Sequence, residues 1–161
     1  GVYMSGAEIA LGAQAAGTVM TSIGALEEGR QKQAYSRYEA AQLRRNAKQE
    51  VAAAQRGAEK ERLKTDLAAS RALAVAAAGG GGASDPGVMK IISDIEGEGA
   101  YRSSVALYQG QEAAAALEEQ AEATEFGGDI AMKGAKTKAI STAISGGASL
   151  YSKYTDMKGL E

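Results

Sequence analysis

The fold is decided by the stretch AAAGGGGASDP, residues 76–86. A glycine inside a helix costs about 1 kcal/mol relative to alanine, so four in a row at residues 79–82 end any helix that precedes them. Asp85 then offers a side-chain oxygen to the free amides of a following turn. Pro86, the only proline, suits the first helical position because it has no amide to leave unsatisfied. The stretch therefore predicts a hinge between two helices.

Composition argues against a thick core. The 161 residues include one Phe and no Trp, and much of the apolar content is alanine. Alanine-rich helices pack closely along thin seams and bury little area per residue. We therefore expect an all-α fold, a long antiparallel helical hairpin with weakly apolar helical segments at both ends, whose stability depends on oligomerisation.

The residue types exclude several chemistries. The chain has no cysteine and no histidine, which removes disulfides, Cys/His zinc sites, thiol nucleophiles and histidine-based catalysis. The glycine run lacks the Gly-Lys-Ser/Thr of a phosphate-binding loop, and carboxylates such as Asp94, Glu96 and Glu98 are interpreted as surface charge. We expect no enzyme activity, no catalytic residues, no cofactor, no metal and no specific nucleic-acid readout.

Charge divides the chain into five segments, because basic and acidic residues are not mixed evenly. In order, they are an uncharged small-residue helix at 1–26, a basic long helix at 27–78, the Gly-rich hinge at 79–85, an acidic long helix at 86–126 and a weakly apolar C-terminal helix at 127–161. The opposite charges of the long helices favour an antiparallel arrangement. In it the basic residues Arg44, Arg45, Arg56, Lys60 and Arg62 are available to the acidic residues Glu112, Glu118, Glu119 and Glu122.

Apolar and small residues recur at steps of three and four in both long helices, as one face of a helix requires. In the basic helix they are Ala40, Leu43, Ala47, Val51, Ala54 and Ala58, continued by Leu63 and Leu67. In the acidic helix the predicted hairpin seam is Val88, Ile92, Ile95, Gly99, Ser103, Ala106, Gly110, Ala113, Leu117 and Ala121.

The two ends carry candidate interface residues. Residues 9–26 form an uncharged run whose length approaches that of a membrane span, although mildly polar residues make insertion of a lone helix unfavourable. Residues 139–152 form a shorter run preceded by lysines, which suits an anionic membrane surface. For both runs a buried helix of an assembly is the alternative. The candidate membrane or oligomer interface is Ile9, Leu11, Val19, Met20, Ile23, Leu26, Ile140, Ile144, Leu150 and Tyr151.

Three stretches resemble a known family. They are the hinge at 76–86, the run DIEGEG at 94–99 and Ala106-Leu107-Tyr108. Together with the small-residue start, they are similar to the small internal virion proteins, or ejection proteins, of short-tailed bacteriophages. The likeness covers most of the chain and is largely compositional.

The resemblance implies a structural protein stored in the virion interior near the portal and ejected at infection. Its implied partners are a homo-oligomer ring, the portal, other internal virion proteins and, after ejection, the host outer membrane, where it helps to form a conduit for DNA ejection in the cell envelope. The alternative hypothesis is a soluble coiled-coil scaffold or adaptor.

Overall fold

The protein is a hairpin of two long α-helices. The computed structural model describes the backbone of residues 6–158 and the side chains of residues 17, 19–149, 151–152 and 155–156. Helix α1 spans Gly6–Ala78 and helix α2 spans Pro86–Lys158, each 73 residues long. The two helices pack against each other, so the predicted all-α helical hairpin is confirmed.

The hinge is formed by the residues between Ala78 and Pro86. Gly80 has φ of 81°, its N–H donates to the carbonyl of Ala77 (3.2 Å), and the N–H of Gly81 donates to the carbonyl of Ala76 (2.9 Å). This pair of bonds is a Schellman motif, which closes the last turn of a helix around one left-handed residue. On the other side, Asp85 accepts a bond from the N–H of Gly87 at 2.8 Å and caps α2.

The segment boundaries predicted after residues 26 and 126 fall inside the two helices, and the helical backbone is continuous at both. Helix α1 runs through residues 26 and 27, and α2 runs through Gly127 and Gly128. Gly128 lies against α1, where a larger residue would not fit: a Cβ at this position would lie 2.6 Å from the Cβ of Ser36. This glycine therefore permits close packing and does not interrupt the helix.

The molecule comprises two compact units. Residues 41–121 form the hinge unit, and residues 1–40 with 122–161 form the open-end unit, which contains both chain ends.

Inside the hinge unit, glycines of α2 lie directly against small residues of α1. A Cβ at Gly110 would overlap the Cβ of Ala54, and one at Gly99 would lie 2.6 Å from the Cβ of Thr65. The two members of each pair are equally far along the chain from Gly82 in the hinge. Other buried residues of this seam are Ala47, Ala58, Ser103, Ala114 and Ala121.

The open-end unit repeats this packing. Gly29 of α1 lies against Ala135 of α2, and Gly128 lies against Ser36. Both pairs are again equally far along the chain from Gly82, so the register has no offset within the unit. Beside this seam, the Gln33 side-chain amide donates to Asp129 at 2.7 Å, and Arg37 pairs with the same carboxylate at 3.8 Å.

Most residues predicted for the acidic-helix seam lie on it, with one exception. Gly99, Ser103, Gly110 and Ala121 are buried, while Val88, Ile92, Ile95, Ala106 and Leu117 are half-buried. Ala113 is exposed, and Ala114 takes the buried position. Steps of three and four permit either alanine, and the seam takes a step of four after Gly110.

The continuation proposed through Leu63 and Leu67 was wrong. These leucines are 64% and 59% exposed, and the half-buried residues that follow Ala58 are Glu61, Thr65 and Ala69. A period of 3.6 residues carries the seam to these positions and turns the leucines outward. Arg56, Lys60, Glu112 and Glu119 are likewise exposed on the sides of the helices that face away from each other, so the ion pairs expected between them are not formed.

The core is thin. Among the described residues, the buried apolar residues are all alanines, and no large side chain is fully buried. The accessible surface is 11546 Å² for a mass of 16.4 kDa. A compact monomer of that mass exposes about 7,500 Å². The chain therefore exposes about half as much surface again as a compact monomer does.

Candidate assembly surface

Six of the seven described interface residues predicted at the two ends are exposed. The exposed fractions are 57% for Val19, 77% for Met20, 60% for Ile23, 61% for Ile140, 67% for Ile144 and 72% for Tyr151. Leu26 is half-buried. The side chains of Ile9, Leu11 and Leu150 lie outside the described residues.

The structure brings the two runs together on one side of the open-end unit. In an α-helix each residue is rotated by about 100° from the one before it, so an angular position relative to the buried Ala40 on α1 or Ala139 on α2 assigns a residue to one side of the hairpin. Because the helices are antiparallel, the same sense of rotation leads to the same side of the hairpin. Val19, Met20 and Ile23 fall on this side, as do Ile140, Ile144 and Tyr151, and we call these six residues the apolar face. Arg37 and Asp129 fall on the same side and are in contact, which supports the assignment.

The opposite side of the same unit is polar. Glu28, Lys32 and Lys138 line a shallow groove of about 200 Å³. Hydrogen bonding and charge attraction from Lys32, at 2.7 Å, lower the pKa of Glu28, and Lys138 on the other helix lowers it further. The same rotation places Ser141, Ser145 and Ser152 on this polar face, all of them exposed. This side of α2 is therefore polar from Lys138 to Ser152.

Along α2, a longer row of exposed residues faces away from α1. It begins with Phe126 and Ile130, which are 65% and 52% exposed and which the sequence analysis did not single out. The row alternates steps of four and three over its whole length, and we call it the outer stripe: Phe126, Ile130, Lys133, Thr137, Ile140, Ile144, Gly147 and Tyr151. The spacing of Phe126 and Ile130 from Ile140 could have revealed them, but interpreting Gly127–Gly128 as a boundary separated them.

A second apolar area lies at the end of the hinge unit. Val75 and Ile91 are 73% and 55% exposed, and with Arg71 and Val88 they line an open groove of about 500 Å³. Leu73 and Met89 are exposed on the other side of the two helices. Of these residues, the sequence analysis named Val88 alone, as part of the hairpin seam.

Four charged groups of the hinge unit form two pairs on its surface. Lys64 contacts Glu61 at 2.5 Å and lowers its pKa by hydrogen bonding, and Arg102 contacts Glu98 at 2.9 Å on the other helix. The groove of about 420 Å³ that these residues line is open to solvent. Within the described part of the chain, no cluster of three or more carboxylates is placed to hold a metal ion.

In the described portions of α1 and α2, no segment combines the length and the apolar character that crossing a bilayer requires. Comparison with family models, with curated proteins and with solved structures finds no match to this chain.

Proposed function

We propose that this chain is a structural internal virion protein of a short-tailed bacteriophage. It is stored as a homo-oligomer near the portal with other internal virion proteins and is ejected to help form a genome-delivery conduit at the host outer membrane. The protein has no catalytic role in this proposal. It acts through surfaces that bind other protein chains and lipid.

One observation carries the assembly part of the proposal: among the described residues, those buried in the hairpin seam are alanines, glycines and one serine, while many large apolar side chains are more than half exposed. The surface in excess of a compact monomer is about 4,000 Å², the scale that obligate interfaces bury. Part of this surface is apolar, since large side chains such as Val19, Met20 and Ile144 are more than half exposed, and exposed apolar patches mark contact surfaces.

The phage part of the proposal is supported by the resemblance at residues 76–86, 94–99 and 106–108. Residues 76–86 form the Schellman hinge, and the other two stretches lie in α2, where they supply the seam residues Ile95, Gly99 and Ala106. The hairpin suits a protein that must pass through a narrow opening, because two packed helices form a thin cross-section in each unit. Contact with lipid is assigned to the N-terminal run at residues 9–26.

The proposal is tested by co-flotation of the purified full-length chain with anionic phospholipid vesicles, combined with mass measurement in solution. We expect a discrete oligomer that floats with the vesicles and stays in the dense fraction when residues 1–26 are deleted. Circular dichroism of the deletion variant controls for loss of helix. A soluble oligomer that never floats would contradict the conduit and favour the coiled-coil scaffold or adaptor.

A further inference from the structure

We propose that the outer stripe of α2 binds the same stripe of a second copy, with the two α2 helices antiparallel. This inference rests on the proposed function, because it specifies one contact within the homo-oligomer. It concerns the open-end unit alone.

The first argument is the spacing. Steps of four and three repeated from Phe126 to Tyr151 match the a and d positions of a coiled coil, where each residue inserts between residues of a facing helix. The inner side of this part of α2, around Gly128 and Ala139, is already covered by α1. A helix with apolar rows on two sides needs a partner on each.

The second argument is area. The five large apolar side chains of the stripe are between 52% and 72% exposed. With about 150–200 Å² for each side chain and these exposed fractions, two copies would bury about 950–1,300 Å² in total, which reaches the lower end of the range for specific protein interfaces. Contacts of Thr137 and the aliphatic part of Lys133 add to this area.

The third argument concerns the chemistry of the partner. Lys133 and Thr137 lie in the middle of the stripe, where a lipid surface would have to desolvate an ammonium group and a hydroxyl. In a helical interface such residues are used to define register and orientation. A second copy therefore fits the stripe better than lipid does.

Lys133 also determines the orientation. In a parallel, in-register pair the two Lys133 ammonium groups would face each other, and like charges in that position repel. In the antiparallel pair Phe126 lies opposite Tyr151 of the second copy, and Lys133 lies opposite Ile144. The two lysines are then eleven residues apart along the helices, about 16 Å. The contact is isologous and closes as a dimer, so a ring built from it carries two-fold axes perpendicular to the ring axis.

The test uses the full-length chain with one matched pair of substitutions. Ile144→Lys changes the stripe, and Ser145→Lys places the same charge on the polar face one residue away; both positions are exposed, so the helices are retained. We expect Ile144→Lys to raise the dimer dissociation constant by roughly a hundredfold and Ser145→Lys to leave it unchanged. Equal masses for the two variants, with unchanged circular dichroism, would overturn the proposal.

Orientation is measured with spin labels, since the chain has no cysteine of its own. Labels on Glu122→Cys are expected about 50 Å apart along the helices in the antiparallel dimer, and labels on Ser141→Cys are expected close together. A short distance at both positions would show a parallel pair and overturn the stated orientation. If Ile144→Lys abolished vesicle flotation while the mass stayed the same, the stripe would be a lipid surface. A dimer that responds as expected but never floats would retain this inference and refute the conduit.

Discussion

Gly110 lies so close to Ala54 that a Cβ at residue 110 would overlap the methyl group of Ala54. The carbonyl oxygen of Glu50 would be a further 3.3 Å neighbour of that Cβ. Both atoms that such a Cβ would meet belong to α1, and the oxygen of Glu50 is a backbone atom. The hinge unit thus depends on the absence of a side chain at this residue.

Gly110→Ala is expected to destabilise the hinge unit by about 1–3 kcal/mol, because the added methyl group must separate the helices. Gly97 lies on the same helix with nothing within 4 Å of its would-be Cβ. Gly97→Ala is expected to stabilise by about 0.5–1 kcal/mol through helix propensity. Urea denaturation at one fixed protein concentration compares the two, and shifts of the same sign would contradict the packing described for Gly110.

Ser103 is 2% exposed and its hydroxyl has no hydrogen-bond partner among the described residues. Removing an unsatisfied buried hydroxyl recovers about 1 kcal/mol, so Ser103→Ala is expected to raise the melting temperature. Ser104→Ala is the control, since Ser104 is exposed, donates to the carbonyl of Ala100 and gains the same helix propensity. A larger rise for Ser104→Ala than for Ser103→Ala would show that the Ser103 hydroxyl is satisfied in solution.

Gly80 is the hinge residue that requires positive φ. Gly80→Ala is expected to cost about 1–2 kcal/mol, because an L-residue with a Cβ is strained in the left-handed region. Gly82→Ala is the matched change, since Gly82 has no positive φ and only Ser84 near its would-be Cβ. Thermal unfolding followed at 222 nm should separate the variants; equal melting temperatures would mean that the Schellman turn does not limit stability.

The seam assignment in α1 predicts that a glutamine side chain changes stability differently at the exposed residue 67 and at the buried residue 58. Leu67→Gln alters an exposed position and is expected to change stability by less than about 0.5 kcal/mol. Ala58 is 3% exposed, and Ala58→Gln forces a long polar side chain between the helices at a cost of about 1–3 kcal/mol. Denaturation of both variants at equal concentration measures the difference. A greater loss of stability for Leu67→Gln than for Ala58→Gln would show that Leu63 and Leu67 belong to the seam.

Sequence reasoning predicted the hinge and the hairpin because glycine, aspartate and proline act locally. Asp85 caps the turn that follows it, and the glycine run ends α1 whatever surrounds it. The continuation after Ala58 could not be predicted, since leucine is the more apolar choice and only the angular position turns Thr65 inward against Gly99. Ala113 and Ala114 are the same type of residue, so the sequence does not determine whether the seam takes a step of three or of four after Gly110.

For the candidate surface, sequence reasoning identified Ile140, Ile144 and Tyr151 as interface residues. It did not predict that they lie on the same side of the hairpin as Val19 and Ile23. Their common side depends on the register of two antiparallel helices, which no single run of sequence contains. Phe126 was missed because the following glycines were interpreted as a break. The close approach of Gly128 to Ser36 shows that a glycine pair can serve packing within a helix.

The pairing of residues equally distant from Gly82 makes the hairpin sensitive to changes of length in one arm. A single residue added to α1 alone would displace every contact between that point and the open end, and Gly128 would face a bulkier neighbour than Ser36. Blocks of about eighteen residues, five full turns, added at facing points of both arms would leave every face in place. Relatives of this chain are therefore expected to differ in arm length by matched insertions, which gives such a protein a way to change its reach without redesigning its contacts.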